Sequence, residues 1–395
     1  MKVLTLSTYP IATPRHGGQH RLRNIVAAYR AAGHQTQSVG VLGNSMYPVE
    51  DGFIACPAHH DLARYIANPF LMEDWAIGQL VVNDGRFFAQ LASEIRDTPD
   101  LIHVEQPWLF PFANRYAAQC TDHSVRVLYG SANIEHQLKQ RILSGYFGPQ
   151  RAAEAARLVY ECEVEAARGA DTACATSTHD ADWLRRVGAR QVILAPNGVC
   201  VRETSEIGIT EANAIIGHRK CALYCASAHP PNVVGFFDIF GRGVGCFAPN
   251  ERLVVAGSAG PSVASDHRFD RVPGLRRRYI STGEVSESCL QGLFEVSHAV
   301  VLPITYGEGT NLKTAEALWA GRHVVATPVS MRGFEQFIEA QGVHICADPD
   351  SFRRVIRSVM ESEPLELTLD ERLRRETLLW DNTLKPLIQH IGQLH

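Results

Sequence analysis

Several absences in this sequence each remove a class of protein. Its ten cysteines (Cys56, Cys120, Cys162, Cys174, Cys200, Cys221, Cys225, Cys246, Cys289 and Cys346) include no C-x-x-C pair and no cluster. That argues against a zinc or disulfide framework and for reduced thiols in a cytoplasm. No window approaches the ~20 uninterrupted apolar residues of a membrane span. The opening MKVLTLSTYP carries one lysine and an apolar run too short for a secretory signal. A soluble, cytoplasmic chain is expected, with room for a surface helix to touch the inner face of a membrane. Excess positive charge is also lacking: 38 Lys+Arg against 42 Asp+Glu leaves −4. Wrapping of nucleic acid is therefore not expected. There is no G-x-S-x-G elbow, no Walker loop and no G-x-G-x-x-G after a strand.

What is present is ordinary globular material. The 395 residues are 45% apolar and 20% charged, with 31 Gly and 20 Pro. At roughly 100–200 residues per domain this length suggests two or three domains. KVLTLS, a glycine-containing loop, LRNIVAAYRAAGH and QTQSVGVLG read as strand, loop, helix, strand. Leu22, Ile25, Val26 and Tyr29 recur at helical spacing, and Gly33 follows as a stop. Further strands are predicted at Leu101–Glu105, Val125–Tyr129, Thr172–Ala175 and Val192–Ala195. With the helical patterns between them they give an α/β half with a doubly wound parallel sheet. Residues 47–99 read as mostly helical with two proline breaks.

Six short buried runs (ALYCAS, RLVVAG, RYISTG, HAVVLPI, RHVVATP and VHICAD) predict a second sheet of the same kind after a polar stretch near 205–218. The expected division is 1–205, 206–375 and a C-terminal helix, 376–395, packing back on the first domain. Open α/β sheets bind ligands at the carboxyl ends of their strands. Two facing Rossmann-like domains would place a site in the cleft between them.

The most informative segment is YGEGTNLKTAEALWAG, residues 306–321, directly after the run HAVVLPI. A glycine-flanked loop leads to a helix starting near Asn311, whose first N–H groups form an anion site. Lys313 in that turn suits a phosphate or diphosphate. Glu308 and Glu316 can face a ligand lying along the helix start, and carboxylates accept the paired hydroxyls of a sugar or ribose. Each piece has a plainer reading too: a solvated loop carboxylate, a solvent-facing lysine, an i, i+3 pair. Their joint order is what carries the signal.

Residues 308–316 match the E-x7-E signature of the retaining glycosyltransferases of family four, which have the GT-B fold of two facing Rossmann-like domains. The resemblance spans nearly the whole chain. HGGQHRLRNIVAAYRAAGH resembles the family's N-terminal glycine loop and first helix, APNGV its turn before the interdomain linker, and AGRHVVATPVSMRGFE its segment after the signature. It implies that Glu308 contacts the donor sugar, Glu316 the ribose, and Gly309, Thr310, Asn311, Leu312 and Lys313 the diphosphate. Gly17 and Gly18, reached through Arg15 and His16, would let backbone approach a donor phosphate. Glu284 and Val285 resemble the loop that reads the nucleobase.

Two places depart from the family pattern. Where many members carry an Arg and a Lys after the first strand of the second domain, this chain reads CASAHPPN. Ser227, His229 and Asn232 can hydrogen-bond there, and Lys313 would carry more of the charge; His229 can equally be a turn histidine. In the first domain Glu105 ends a strand where members often place an active-site His after it, with His103 two residues earlier. Glu105 either binds or deprotonates an acceptor hydroxyl or is a satisfied polar residue. Gln106, Asn133 and Glu135 fall at acceptor-side strand ends, although Asn133 can also cap the following helix. The D-x-D pairs Asp180/Asp182 and Asp348/Asp350 stand where helices begin and read as N-caps, so no metal and no cofactor is expected.

The resemblance thus implies a metal-independent, retaining transferase that uses a nucleotide-diphosphate sugar and a glycan, lipid-linked saccharide or small-molecule acceptor, as in polysaccharide biosynthesis at a cell envelope. A nucleotide-sugar epimerase and a non-catalytic sugar-binding partner subunit are the rivals. Arg15, Arg21, Arg23 and Arg30 form a basic face on the first helix that either meets a membrane or is solvated.

Overall fold

The computed structural model describes residues 1–121, 124–201, 203–307 and 309–393. The chain divides into two compact units, Met1–Pro196 with Thr383–His395, and Asn197–Asn382.

The first unit contains seven strands: β1 (Lys2–Ser7), β2 (Gln35–Val41), β3 (Phe53–Ile54), β4 (Leu101–Glu105), β5 (Arg126–Ser131), β6 (Thr172–Ala175) and β7 (Val192–Leu194). All pair in parallel, in the order β3-β2-β1-β4-β5-β6-β7. β4 and β6 are buried along their whole length, as strands of a parallel sheet covered on both faces are, and in β4 that burial includes His103 and Glu105. The helix Gly17–Ala31 buries Leu22, Ile25, Val26 and Tyr29 as its spacing predicts, but also Gln19 and Arg21. Arg21 therefore leaves the basic face proposed from sequence and enters the core. β3 is the strand that periodicity missed. Two residues cannot display an alternation, and the flanking 47–99 stretch is otherwise helical or irregular, with helices at Glu73–Asn83 and Gly85–Ser93.

The second unit has six parallel strands: β8 (Cys221–Cys225), β9 (Arg252–Ala256), β10 (Tyr279–Gly283), β11 (Ala299–Leu302), β12 (His323–Ala326) and β13 (Val343–Ile345). Their order is β10-β9-β8-β11-β12-β13. Both units repeat one plan: the chain winds outward from its first strand, then returns to that strand's other side. Helix ends follow local chemistry. Asp348 caps Pro349–Glu361 in a reciprocal box with Ser351, as its position suggested. Asp180 does not cap; Ser177 accepts its N–H, while the buried Asp180 carboxylate takes the Thr176 hydroxyl. The last helix, Lys385–Gly392, belongs to the first unit, where His390 Nε2 lies 3.0 Å from Thr172 Oγ1.

No helix among the described residues is long and apolar enough to cross a membrane.

Helices Glu206–Ile216 and Glu287–Val296 pack through glycines. A Cβ on Gly292 would lie 2.0 Å from the Gly208 carbonyl oxygen, and one on Gly208 2.1 Å from that of Ser288. Backbone meets backbone here, so nothing flexible can give way. Gly292→Ala is expected to destabilise the second unit by about 1–3 kcal/mol through overpacking. Hydrogen exchange should show the loss in β8–β11 and the two helices, with the first unit's protection unchanged.

Candidate functional site

In a doubly wound sheet the crevice opens where strand order reverses. In the second unit that point lies between β8 and β11, and the singular segments of the sequence follow those two strands. Residues 303–311 leave β11 and enter the helix Leu312–Trp319, with Asn311 at its cap. Three buried hydroxyls fix this passage: Ser330 Oγ donates to the Leu302 carbonyl at 2.6 Å, Thr327 Oγ1 to that of Ile304, and Thr314 Oγ1 to that of Ser330 at 2.7 Å. Gly307 and Gly309 take positive φ (145° and 66°), which L side chains resist. Arg332 Nη1 grips the Gly307 carbonyl at 2.6 Å, and Asn197 Nδ2 that of Thr310 at 3.1 Å. The loop is thus held by its backbone, and the first N–H groups of the helix have no intrahelical acceptor.

Lys313 sits at this helix start, where its ammonium donates to the Asn232 side-chain oxygen. The Asn232 amide donates in turn to the Ser227 carbonyl at 2.9 Å. Asn232 lies in the helix Pro230–Phe240, which follows β8 and approaches residues 303–305 so closely that a Cβ on Gly235 would meet the Pro303 oxygen at 2.3 Å. A glycine therefore joins the two post-strand segments, and an asparagine wires their polar ends together. Burial pushes the Lys313 pKa down to about 8, with Cys225 and Glu316 opposing the shift. Among the described residues Thr310 Oγ1 is buried with no hydrogen-bond partner, so a ligand that supplies one would gain about 1–3 kcal/mol.

Ser227 and His229 lie exposed after β8, His229 at the helix N-cap without a side-chain cap bond. Glu284, exposed, and Val285, half-buried, follow β10, where the Gly283 carbonyl accepts the Gly257 N–H at 2.8 Å. The structure therefore brings Ser227, His229, Glu284, Val285, Gly309, Thr310, Asn311, Leu312, Lys313 and Glu316 to the carboxyl edge of one sheet. Glu308 lies outside the described residues. Spacing gave no sign of Asn232 as the lysine's partner, or of Asn197 and Arg332 as loop clamps.

The first unit's reversal lies between β1 and β4. Glu105 ends β4 fully buried. Arg21 Nε reaches its Oε1 at 3.1 Å, and His103 Nε2 lies 3.1 Å from its Oε2. His103 Nδ1 meets the Tyr29 hydroxyl at 2.7 Å, and Arg21 Nη1 donates to the Ala195 carbonyl at 3.0 Å. Of the two readings open for Glu105, the geometry matches the satisfied buried residue, because both oxygens are engaged below the surface. A Cβ on Gly130 would lie 2.3 Å from Glu105 Oε2, so only glycine leaves the carboxylate room.

Beyond it, Gln106 adopts positive φ (66°), a strained conformation for a non-glycine residue. Its amide donates to Glu135 Oε1 at 3.0 Å, as does that of Asn133. Asn133 is not the helix cap: Glu163, 28 residues beyond Glu135, accepts the N–H groups of Glu135 and His136 at 2.6 and 3.0 Å. A cap supplied by another helix leaves no local signal.

At the other side of the reversal, Gly17 and Gly18 open the Gly17–Ala31 helix. A Cβ on Gly18 would stand 2.9 Å from the Tyr9 hydroxyl. The Thr8 and Tyr9 hydroxyls are buried with no hydrogen-bond partner among the described residues. The His16 ring packs edge-on to Tyr9 with centroids 5.1 Å apart, and its Nε2 lies 3.0 Å from the Tyr47 hydroxyl. Burial, and secondarily His20, pushes the His16 pKa down to about 4, so it stays neutral at ordinary pH. Arg15 is exposed.

Comparison with known proteins agrees with this arrangement. Residues 16–198 match the family described as "Glycosyl transferase 4-like domain", and residues 223–362 match "Glycosyl transferases group 1". No curated protein matches the chain by sequence. Among solved structures, a sucrose-phosphate synthase from Thermosynechococcus elongatus superposes with a TM-score of 0.72 at 17% identity, covering 100% of this chain and 98% of the other. Anabaena Alr3699/HepE in complex with UDP and glucose gives 0.63 at 15% identity, covering 100% and 99%. An E. coli trehalose-6-phosphate structure bound with UDP-2-fluoro glucose gives 0.63 at 14% identity, covering 99% and 97%. The fold is GT-B. The chain is a glycosyltransferase of the family-four type.

Two outcomes test this geometry. Arg21→Leu strands a buried carboxylate and is expected to cost about 3–5 kcal/mol in urea unfolding, with Arg21→Leu/Glu105→Leu recovering part of the loss. Lys313 binds fewer protons in the folded chain than in the unfolded one between pH 8 and its ordinary 10.5. Its contribution to stability therefore rises with pH through that window and is least favourable below it. Lys313→Met should abolish that rise and stabilise the ligand-free protein at pH 7.

Proposed function

We propose that this chain transfers a hexose from a nucleoside-diphosphate sugar to an acceptor hydroxyl with retention at the anomeric carbon and without a metal. The observation that carries the reading is the half-buried Lys313, tied to Asn232 and Ser227 at the start of the Leu312–Trp319 helix, on the reversal between β8 and β11. Without ligand this ammonium loses solvation; a diphosphate beside it would restore a counter-charge. Helix N–H groups and Lys313 together stabilise the negative charge that grows on the leaving diphosphate, a type of contribution worth about 3–4 kcal/mol per well-placed donor. Glu316 binds the ribose and Glu308 the donor hexose, as the resemblance implies. Solved relatives hold UDP and UDP-glucose, which makes a uridine nucleotide the first donor to try.

The first unit serves the acceptor. The unpartnered Thr8 and Tyr9 hydroxyls beside the Gly17–Gly18 helix start, with Gln106, Asn133 and Glu135 at the neighbouring strand ends, suit a hydroxyl-rich or phosphorylated saccharide, free or lipid-linked. Glu105 and His103 act as positioning residues through their hold on Arg21 and Tyr29.

The test is a screen of nucleoside-diphosphate hexoses against saccharide acceptor mixtures, with mass spectrometry for product and proton NMR for the anomeric coupling. Transfer that needs acceptor, keeps the donor's anomeric configuration and survives chelation supports the proposal. An inverted product overturns retention, loss of rate on chelation overturns metal independence, and epimerised donor without acceptor favours an epimerase. Lys313→Met is expected to lower kcat about 10²–10³-fold.

A further inference from the structure

Away from the strand carboxyl ends, the second unit carries a row of imidazoles that the transferase reading leaves unused. His298 precedes β11, His323 begins β12 and His344 lies in β13. The ring centroids of His298 and His323, and of His323 and His344, are each 5.5 Å apart. Two of the three have an evident structural task at the end of the helix Pro349–Glu361. His298 Nε2 lies 2.8 Å from the Val359 carbonyl oxygen and His323 Nε2 3.3 Å from that of Glu363, while Lys220 turns its ammonium to the carbonyls of Met360 and Ser362. Cations and N–H donors belong at a helix C-terminus. His344 shares no such task; its Nε2 faces His323 Nδ1 at 3.3 Å.

That contact defines an electronic arrangement. A carbonyl oxygen only accepts, so the proton of neutral His323 sits on Nε2 toward Glu363, and its Nδ1 presents a bare lone pair to His344. The register pairs His344 with Val325, two residues after His323, so the two rings project from one sheet face as diagonal neighbours. In the ligand-free chain the His344 Nε2–H donates to that lone pair at 3.3 Å. The same separation matches the edge of a tetrahedron around a zinc-like ion with Zn–N of about 2.0–2.1 Å, which is roughly 3.3–3.4 Å. The far nitrogen of His323 held by a carbonyl is the outer-shell support that metal-bound imidazoles use. Both rings are half-buried, reachable by solvent, and burial lowers the pKa of each, which keeps them unprotonated at neutral pH.

We propose that His323 and His344 form a two-imidazole site for a borderline divalent transition ion such as Zn²⁺ or Cu²⁺, bound through His323 Nδ1 and His344 Nε2. Among the described residues no third His, Cys, Asp or Glu joins them, so water or an external ligand fills the remaining positions. On binding, His344 keeps its single proton by carrying it on Nδ1. The site bridges β12 and the edge strand β13 away from the carboxyl edge that carries residues 303–316, so the ion stabilises the second unit without entering the transfer reaction.

Titration of the full chain with Zn²⁺ alone, by calorimetry, tests the assignment. One ion per chain is expected, with His323→Gln and His344→Gln each weakening it about tenfold or more and His298→Gln leaving it unchanged. Electron paramagnetic resonance with one equivalent of Cu²⁺ should show coupling to two imidazole nitrogens. Wild-type affinity in both His323→Gln and His344→Gln overturns the site. Should either variant fail to fold, anomalous diffraction from Zn²⁺-soaked wild-type crystals decides: a peak between the two rings supports the site, and no peak there overturns it.

Discussion

The handedness of parallel crossovers governs both units. A strand followed by a helix and a parallel strand closes almost always in the right-handed sense. A chain that winds from β1 to β2 and β3, and then returns to β4 on the other side of β1, must send its connections to opposite faces of the sheet. The same happens at β8 and β11. Post-strand segments diverge there, and backbone N–H groups, helix starts and side chains at the carboxyl edge lose the neighbours that would otherwise cover them. Lys313, Asn232, Ser227 and Thr310 gather at one reversal, and Tyr9, Gly18, Glu105 and Gln106 at the other, because no other part of such a sheet has room for them.

The two reversals manage charge in opposite ways. In the first unit a guanidinium, a carboxylate, an imidazole and a phenol close a buried chain, and Arg21 carries it to the Ala195 carbonyl. That chain is complete in itself, so removing one member leaves an uncompensated group. The polar groups free to meet a ligand lie beyond it. In the second unit a lone ammonium is held against a neutral amide. A neutral partner does not repay its desolvation, which is why its pKa falls toward 8. Such a cation gains most from an anion that arrives as substrate. It also explains how a chain of net charge −4 can suit a diphosphate without a basic surface.

Much of the architecture was legible because buried parallel strands are written as short apolar runs. Twelve of the thirteen were visible this way, and the helix start at Asn311 was marked by the glycines before it. The missed strand, Phe53–Ile54, is too short to show a pattern. The basic face of the first helix was misjudged at Arg21, because periodicity reports where a residue lies on a helix and is blind to a carboxylate 84 residues away that makes burying it tolerable. The helix start at Glu135 left Asn133 as the one cap open to the sequence reading for a similar reason; the carboxylate that satisfies it comes from Glu163, on the next helix.

By itself the sequence determined what is local and periodic: the alternation of strands and helices, the two α/β halves, the glycine-flanked loop before Leu312, and the spacing that resembles a family-four signature. Only the tertiary structure decided which polar groups are partnered and by what. Asn232 holding Lys313, Arg21 neutralising Glu105, Glu163 capping a foreign helix and His344 facing His323 are all contacts between segments that strand order makes neighbours. A side chain's chemistry depends on its solvation and its nearest charges, and these are set by which distant segments fold beside it.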